Sequence, residues 1–378
     1  MSIVLAPDSF KESLSAIQVA QTMQKAIQTI NKNEKVFLKP MADGGEGTVD
    51  SLLLYSGGDR IQTTCIGPLG NKIKTYYGIL HDKTAVIEVA NISGLDLIPP
   101  TKRNPNVTTS YGIGEIIKDA LDKGCKSIIV GLGGSSTIDG GLGMLNALGV
   151  KMLDKNQKQL NFFGEDLLKI ADVDFSNLDP RLIETNIKVI SDVKNSLYGT
   201  EGASFIFGPQ KGATLEQVYQ YDKSLKKFAE IVSQSKQTHF QYLEGSGAAG
   251  GLGFALLILG AKLHLGSQYI AKLAKLEEAI KISRLVITGE GRSDEQTLYG
   301  KAPGYVADVA KRHNRPILLI SGSIGRNSSR LNEKFDAFFS IINQPLSTEE
   351  SIKNTYELLY NFTKQLFKVY MLPHSTKN

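Results

Sequence analysis

The apolar positions of this chain fall into two textures. Residues 3–6 form a short run that is apolar on both faces, the pattern of a central strand in a parallel sheet. Ser15 and Gln18 make a capping box, and Ile17, Ala20, Met23, Ile27 and Ile30 then recur at helical spacing. Residues 36–38 read as the next strand, and residues 52–54 belong to a second helix that Gly57-Gly58 ends. The C-terminal part repeats this grammar. Residues 285–288 read as a strand followed by a glycine-rich turn. A helix comes next, with Pro303 near its start and Val306, Val309 and Ala310 on one face. Strands at 317–320 and 337–342 follow, then a last helix from about 348 to 370. The tail after Pro373 is expected to fray.

The middle of the chain reads differently. Residues 61–90 look like antiparallel strands turned at Gly67-Pro68 and His81-Asp82. A helix from about Ser110 ends at Gly124, and a strand at 127–131 runs into a Gly/Ser loop ahead of a helical stretch at 142–148. A strand at 187–190 leads to Asp192, and glycine-rich segments lie at 199–212 and 245–253. This pattern predicts a doubly wound α/β domain built from both ends of the chain, residues 1–62 plus 283–378. A second α/β domain over 63–282 interrupts it between its second and third strands. There is no internal repeat and no low-complexity linker.

Composition narrows the function classes. A chain of 378 residues suits two domains, each with its own core. The formal charge of +5 is thinly spread, which suits anionic ligands and is no nucleic-acid footprint. The two cysteines, Cys65 and Cys125, are outside any CxxC pair, and the five histidines lack metal-ligand spacing. The N-terminus reads as a first strand and not as a signal peptide. The longest apolar stretch is about half of what a bilayer requires. A cytoplasmic protein is expected.

The candidate chemistry is positional. Polar and acidic residues follow each of the first three strands expected in the outer domain. They are Asp8-Ser9-Phe10-Lys11, then Asp43-Gly44-Gly45-Glu46-Gly47-Thr48, then Glu290-Gly291-Arg292-Ser293-Asp294. The carboxyl ends of parallel strands form the ligand crevice of such a sheet, so the three clusters are expected on one rim. Each is also ordinary turn chemistry. Carboxylates with Lys11 nearby suit Mg²⁺ and phosphate. The loop Gly131-Leu132-Gly133-Gly134-Ser135-Ser136-Thr137 precedes a helix and is either an anion cradle or a tight packing turn. Gly245-Ser246-Gly247-Ala248-Ala249-Gly250 matches G-x-G-x-x-G, but residues 240–243 make a poor central strand before it. That leaves a nucleotide or substrate loop, or a purely structural one. Lys211 is either a point charge for a phosphate or a solvated surface lysine. Asp192 follows an apolar strand and is a candidate to accept a hydroxyl proton, whereas Asp139 suits helix capping.

Together these segments resemble the bacterial glycerate kinase family of the type carrying A-P-D-S-F-K-x-S. The resemblance rests on Ala6 to Ser13, Ala42-Asp43-Gly44-Gly45-Glu46-Gly47-Thr48 and Gly133-Gly134-Ser135. It continues through Phe207-Gly208-Pro209-Gln210-Lys211-Gly212-Ala213, Gly247-Ala248-Ala249-Gly250-Gly251 and Thr288-Gly289-Glu290-Gly291. They occur in family order across nearly the whole chain. The resemblance implies an ATP- and Mg²⁺-dependent kinase acting on D-glycerate, with 2-phosphoglycerate the usual product and the 3-phosphate not distinguished by any motif. It also implies a flavodoxin-like three-layer domain, strand order 2-1-3-4-5, split by an inserted α/β domain with a mixed sheet, and phosphoryl transfer between the two domains. Three positions depart from the family pattern: Ile138 where Asn is usual, Ser196 where Pro is common and Ser191 where Cys is common. An Asn that touches ligand in relatives would be a contact missing here.

On this reading Asp192 is the general base with Asp294 as second candidate, and Lys11 and Lys211 face the phosphates. Asp8, Ser9 and Ser135 bind substrate, with the two serines reaching the glycerate carboxylate. Gly133, Gly134, Gly247, Gly250 and Gly291 line the nucleotide, and Asp43, Glu46 and Glu290, with Asp8, are the candidates to hold Mg²⁺ through waters. Two rivals remain at this level, a dehydrogenase using residues 245–250 for a dinucleotide and a non-catalytic sugar-acid or nucleotide sensor. No nucleic-acid or membrane partner is expected, and a homo-oligomer is left open.

Overall fold

The computed structural model describes residues 2–372 apart from Gly300 and Asn327, so the tail after Pro373 lies outside the described residues. In chain order the strands are β1 (Ser2–Leu5), β2 (Lys35–Leu38), β3 (Gly58–Ile66), β4 (Lys72–Leu80), β5 (Thr84–Glu88), β6 (Ser127–Gly131), β7 (Lys151–Leu153), β8 (Asp172–Asp174), β9 (Asn186–Ile190), β10 (Lys262–His264), β11 (Ser283–Ser293), β12 (Ile317–Ile324) and β13 (Ala337–Ser340). The chain divides into two compact units, residues 1–42 with 267–378, and residues 43–266. These limits differ from 62/63 and 282/283 because the helix Thr48–Ser56 packs on β4 and β5, and the helix Leu276–Lys281 packs on β11 and the helix Ala302–Arg312.

The first unit carries a parallel sheet in the order β2-β1-β11-β12-β13, which is 2-1-3-4-5 when only its own strands are numbered. β1 is buried along its whole length, as its two apolar faces require. Ser15 and Gln18 form the reciprocal capping box at the start of the helix Ala16–Ile30. That helix lays Val19, Met23 and Ile27 on the sheet with Leu359 and Phe367 of the helix Thr355–Tyr370. Two elements differ from the sequence pattern. β11 does not end in a glycine turn at residue 289. It continues to Ser293 because β12 runs on beside it, pairing Glu290 with Ser321 and Ser293 with Ile324. The last helix is broken at Asn354 into Thr348–Lys353 and Thr355–Tyr370.

The second unit carries a mixed sheet in the order β10-β9-β6-β5-β4-β3. Its parallel half is β10, β9, β6 and β5, and β4 and β3 extend it as antiparallel strands. The strands β7 and β8 form a small antiparallel ribbon. The core gathers Ile87, Val130 and Val189 from the parallel strands. Over them lie Phe228 and Phe254, with ring centroids 5.6 Å apart and edge-on, from the helices Leu215–Lys236 and Ala248–Ile258. Among the described residues, no helix is long and apolar enough to cross a membrane.

Candidate active site

In the first unit, the clusters after β1 and β11 do share a rim. Asp8 donates its amide to the Gly289 carbonyl at 2.8 Å, and the Thr288 hydroxyl donates to the Ala6 carbonyl at 2.7 Å. Gly291 lies against the backbone of Phe10 and Lys11. Ser9 is buried, its amide bonded to Asp8 Oδ1 at 2.6 Å, while Lys11 is exposed. Glu290 is buried but fully engaged. Its Oε1 accepts from the hydroxyls of Ser293 (2.9 Å) and Thr297 (2.5 Å), and its Oε2 faces Lys301 Nζ at 3.3 Å. Asp294 caps the short helix Glu295–Leu298, accepting from the Gln296 amide at 2.9 Å.

The cluster at 43–48 belongs to the second unit and is built onto that unit's own sheet. Gly133 donates its amide to the Gly44 carbonyl at 2.8 Å, and Gly44 lies against the end of β9. Gly44 has φ +98°, and a Cβ there would stand 2.3 Å from the Ile190 carbonyl oxygen, so this contact requires glycine. The carboxyl ends of β5, β6, β9 and β10 are thereby gathered with the loop 43–47. They bring Glu88, the Gly/Ser loop, Ser191 with half-buried Asp192, and His264 to one rim. Asp43 accepts from the Gly45 amide at 2.9 Å, and Glu46 is exposed.

The Gly/Ser loop is tightly tied. The Gly133 amide is committed to Gly44, the Gly134 carbonyl accepts from Leu95 at 2.7 Å, and Ser136 bonds Ser93. Gly134 remains exposed, with φ +69°. Lys211 is not a solvated lysine. It is 2% exposed, and its Nζ donates to Ser135 Oγ (2.8 Å) and to the Thr137 carbonyl (2.7 Å). Asp139 is wholly buried as a structural cap, accepting from Ser110 Oγ and the amides of Ser110, Gly141 and Gly143. Burial raises its pKa against those donors. Gly247 and Gly250 are buried too, and residues 240–242 before them form a 3₁₀ turn, so the strand of a dinucleotide fingerprint is missing. Ile138 is fully buried among the core residues, which makes that departure a packing position.

The proposed Mg²⁺ set is divided, Asp43 and Glu46 lying in the second unit and Glu290 in the first. Among the described residues no three His, Cys, Asp or Glu side chains are grouped to hold a metal ion.

Sequence reasoning passed over Glu88 and His264. Each ends a parallel strand, a positional signal that the runs 84–88 and 262–264 do carry. Burial, Lys188 and Lys262 keep His264 below the usual histidine range. Burial pushes Glu88 up to about 8, against the Val49 amide that donates to it at the start of the helix Thr48–Ser56. The folded chain therefore holds a proton that the unfolded chain, with a carboxyl near 4.5, releases. This group's contribution to stability is full below pH 4.5 and is lost as pH rises through about 8. Glu88→Gln is expected to flatten the loss of stability between pH 5 and pH 8, read by urea unfolding. Parallel pH profiles for variant and parent would contradict this.

Comparison with known proteins identifies the family. The profile of the Glycerate kinase family matches residues 3–371. The chain is 44% identical over 360 residues to the Glycerate 2-kinase of Escherichia coli (strain K12), covering 94% of each. It is 44% identical over 372 residues to the Glycerate kinase of Haemophilus influenzae, covering 98% of each. The crystal structure of a Salmonella typhimurium LT2 protein assigned as glycerate kinase 2 superposes with a TM-score of 0.81 at 41% identity, covering 98% of each chain. A rim of parallel strand ends with its glycine loops and acidic residues, and a match along nearly the full chain, have one reading: the chain belongs to the glycerate kinase family and is a glycerate kinase.

Proposed function

We propose that the enzyme moves the terminal phosphoryl group of ATP to the C2 hydroxyl of D-glycerate, giving ADP and 2-phosphoglycerate, with Asp192 as general base. The observation that supports this reading is the rim of the second unit, where Asp192 follows β9 beside the Gly/Ser loop. As the hydroxyl oxygen bonds to phosphorus, its proton passes to the Asp192 carboxylate and the P–O bond to ADP breaks. The name of the Escherichia coli relative specifies a 2-kinase, which favours the C2 product. Exposed Lys11 is proposed for the phosphates, with Asp8 and Ser9 beside it on the rim of the first unit. Gly133, Gly134, Gly247, Gly250 and Gly291 would act by shaping the loops against which the nucleotide lies.

Of the proposed Mg²⁺ set, Asp43 and Glu46 share one loop of the second unit. Asp43 and Glu46 offer hard carboxylate oxygens, one or two per loop, which suits an ion that keeps most of its waters and binds chiefly to phosphates. Glu290, satisfied by two hydroxyls and Lys301, is proposed for no direct bond to the ion. When bound, Mg²⁺ supplies neutralisation of charge on the transferring group. The two cysteines are buried free thiols, which suits a reducing compartment such as the cytoplasm.

The test is an ADP-release assay with ATP and a panel of hydroxy-acids. Release that requires both Mg²⁺ and D-glycerate is expected. Release without glycerate, or undiminished by EDTA, would overturn the reading.

A further inference from the structure

Lys211 is the buried cation of the second unit's rim, and its surroundings leave its charge unanswered. Its two hydrogen-bond acceptors, the Ser135 hydroxyl and the Thr137 carbonyl, are neutral. Asp139, the carboxylate whose field reaches it, is taken up by Ser110, Gly141 and Gly143. Burying an ammonium among neutral acceptors is costly unless an anion completes the site. Burial accordingly lowers Lys211 to about 7, with Asp139 opposing the shift.

At 2% exposure the ammonium does not itself present to a ligand; Ser135, itself buried at 6% exposure, adjoins exposed Gly134 in the loop after β6. A serine hydroxyl has one proton and accepts through its lone pairs. With Lys211 donating to Ser135 Oγ, that oxygen is engaged as an acceptor, and its own proton is directed elsewhere.

We propose that Lys211 is a positioning residue acting through Ser135, holding and polarising that hydroxyl so that its proton is donated to an anionic oxygen of the ligand, the carboxylate of the acceptor. This rests on the reading of Ser135 as a group that binds the glycerate carboxylate. It replaces direct contact between Lys211 and a phosphate with a relay of two hydrogen bonds, the second made to an ionised carboxylate. The segment that carries Lys211 is built for this inward placement. Pro209 and Gln210 of the same turn are exposed, while Gly212 after it lies against the Arg103 carbonyl and holds the turn down.

The test compares the parent with Lys211→Met, Ser135→Ala and the double variant, by steady-state kinetics for glycerate and for ATP and by calorimetric binding of D-glycerate alone. Loss of one charge-assisted bond is expected to raise KM and Kd for glycerate about 10- to 100-fold in each single variant. KM for ATP should stay within about 3-fold, and the double variant should be no worse than Ser135→Ala within the same margin. Penalties that multiply in the double variant would show that Lys211 reaches the ligand directly, and would overturn the relay. A rise in KM for ATP instead of glycerate would move the anion to the nucleotide and overturn the carboxylate assignment. Unchanged glycerate affinity in Ser135→Ala, which removes a single oxygen, would also overturn it, even where Lys211→Met is too unstable to assay. A parent that neither binds nor phosphorylates glycerate would fail the functional reading itself, a result separable from all of these.

Discussion

Replacing Asp192 by asparagine is expected to lower kcat for glycerate by about 10²–10⁴-fold, the usual worth of a positioned general base. The carboxamide keeps the size of the side chain and cannot take the substrate proton. The position invites this assignment, because β9, with Ile187, Val189 and Ile190 buried, lies within the parallel half of its sheet and is followed by a half-buried carboxylate. KM for ATP should change little, since a base for the acceptor hydroxyl is not asked to hold the nucleotide. The unfolding midpoint should stay near that of the parent. Turnover within about 3-fold of the parent would retire Asp192 as base, because even weak general-base catalysis exceeds that margin. The second candidate offers a contrast. Asp294 accepts from the Gln296 amide as a helix cap, so Asp294→Asn is a conservative exchange at a cap and lacks the same catalytic rationale.

Gly250→Ala is expected to cost stability. Gly250 has φ +71°, and a Cβ there would lie 1.9 Å from the Thr137 carbonyl oxygen. Its flanking residues Ala249 and Gly251 are also left-handed, so three successive residues bend the start of the helix Ala248–Ile258 around the loop 137–140. The Gly250 carbonyl accepts from the Gly140 amide at 3.0 Å, which ties the two segments together. The left-handed penalty is about 1–2 kcal/mol and overpacking adds about 1–3 kcal/mol. The sum corresponds to a fall in melting temperature of roughly 5–15 °C for a unit of this size. Differential scanning measures it. A variant melting within about 1 °C of the parent would mean that the loop yields without strain.

Much of the fold was legible because its signals are local. Residues 3–6 and 128–130 are apolar on both faces, a pattern that suits central parallel strands. The capping box at Ser15 fixed a helix start, and the distance between the second and third strands of the outer sheet announced the insertion. What escaped depends on tertiary neighbours. Gly289 and Gly291 read as turn residues, yet β11 passes straight through them because β12 offers a partner beyond residue 320. The cluster 43–48 follows a strand of one sheet and is built onto the rim of the other, which no local pattern encodes. Lysine composition favours solvent, so the burial of Lys211 follows only from the two acceptors waiting for it. Glu88 carries its signal in its position alone, as the last residue of an otherwise apolar strand. Glu290, read as a metal candidate, proves to be held by Ser293, Thr297 and Lys301, all within eleven residues of it along the chain.

The measurement that bears most directly on the account is phosphorus NMR of the product formed from MgATP and D-glycerate. A single new resonance coupled to the proton on C2 of 2-phosphoglycerate, appearing in step with ADP, is the predicted result. A resonance coupled to the C3 methylene protons would place the phosphate on the other hydroxyl and contradict the proposed acceptor geometry.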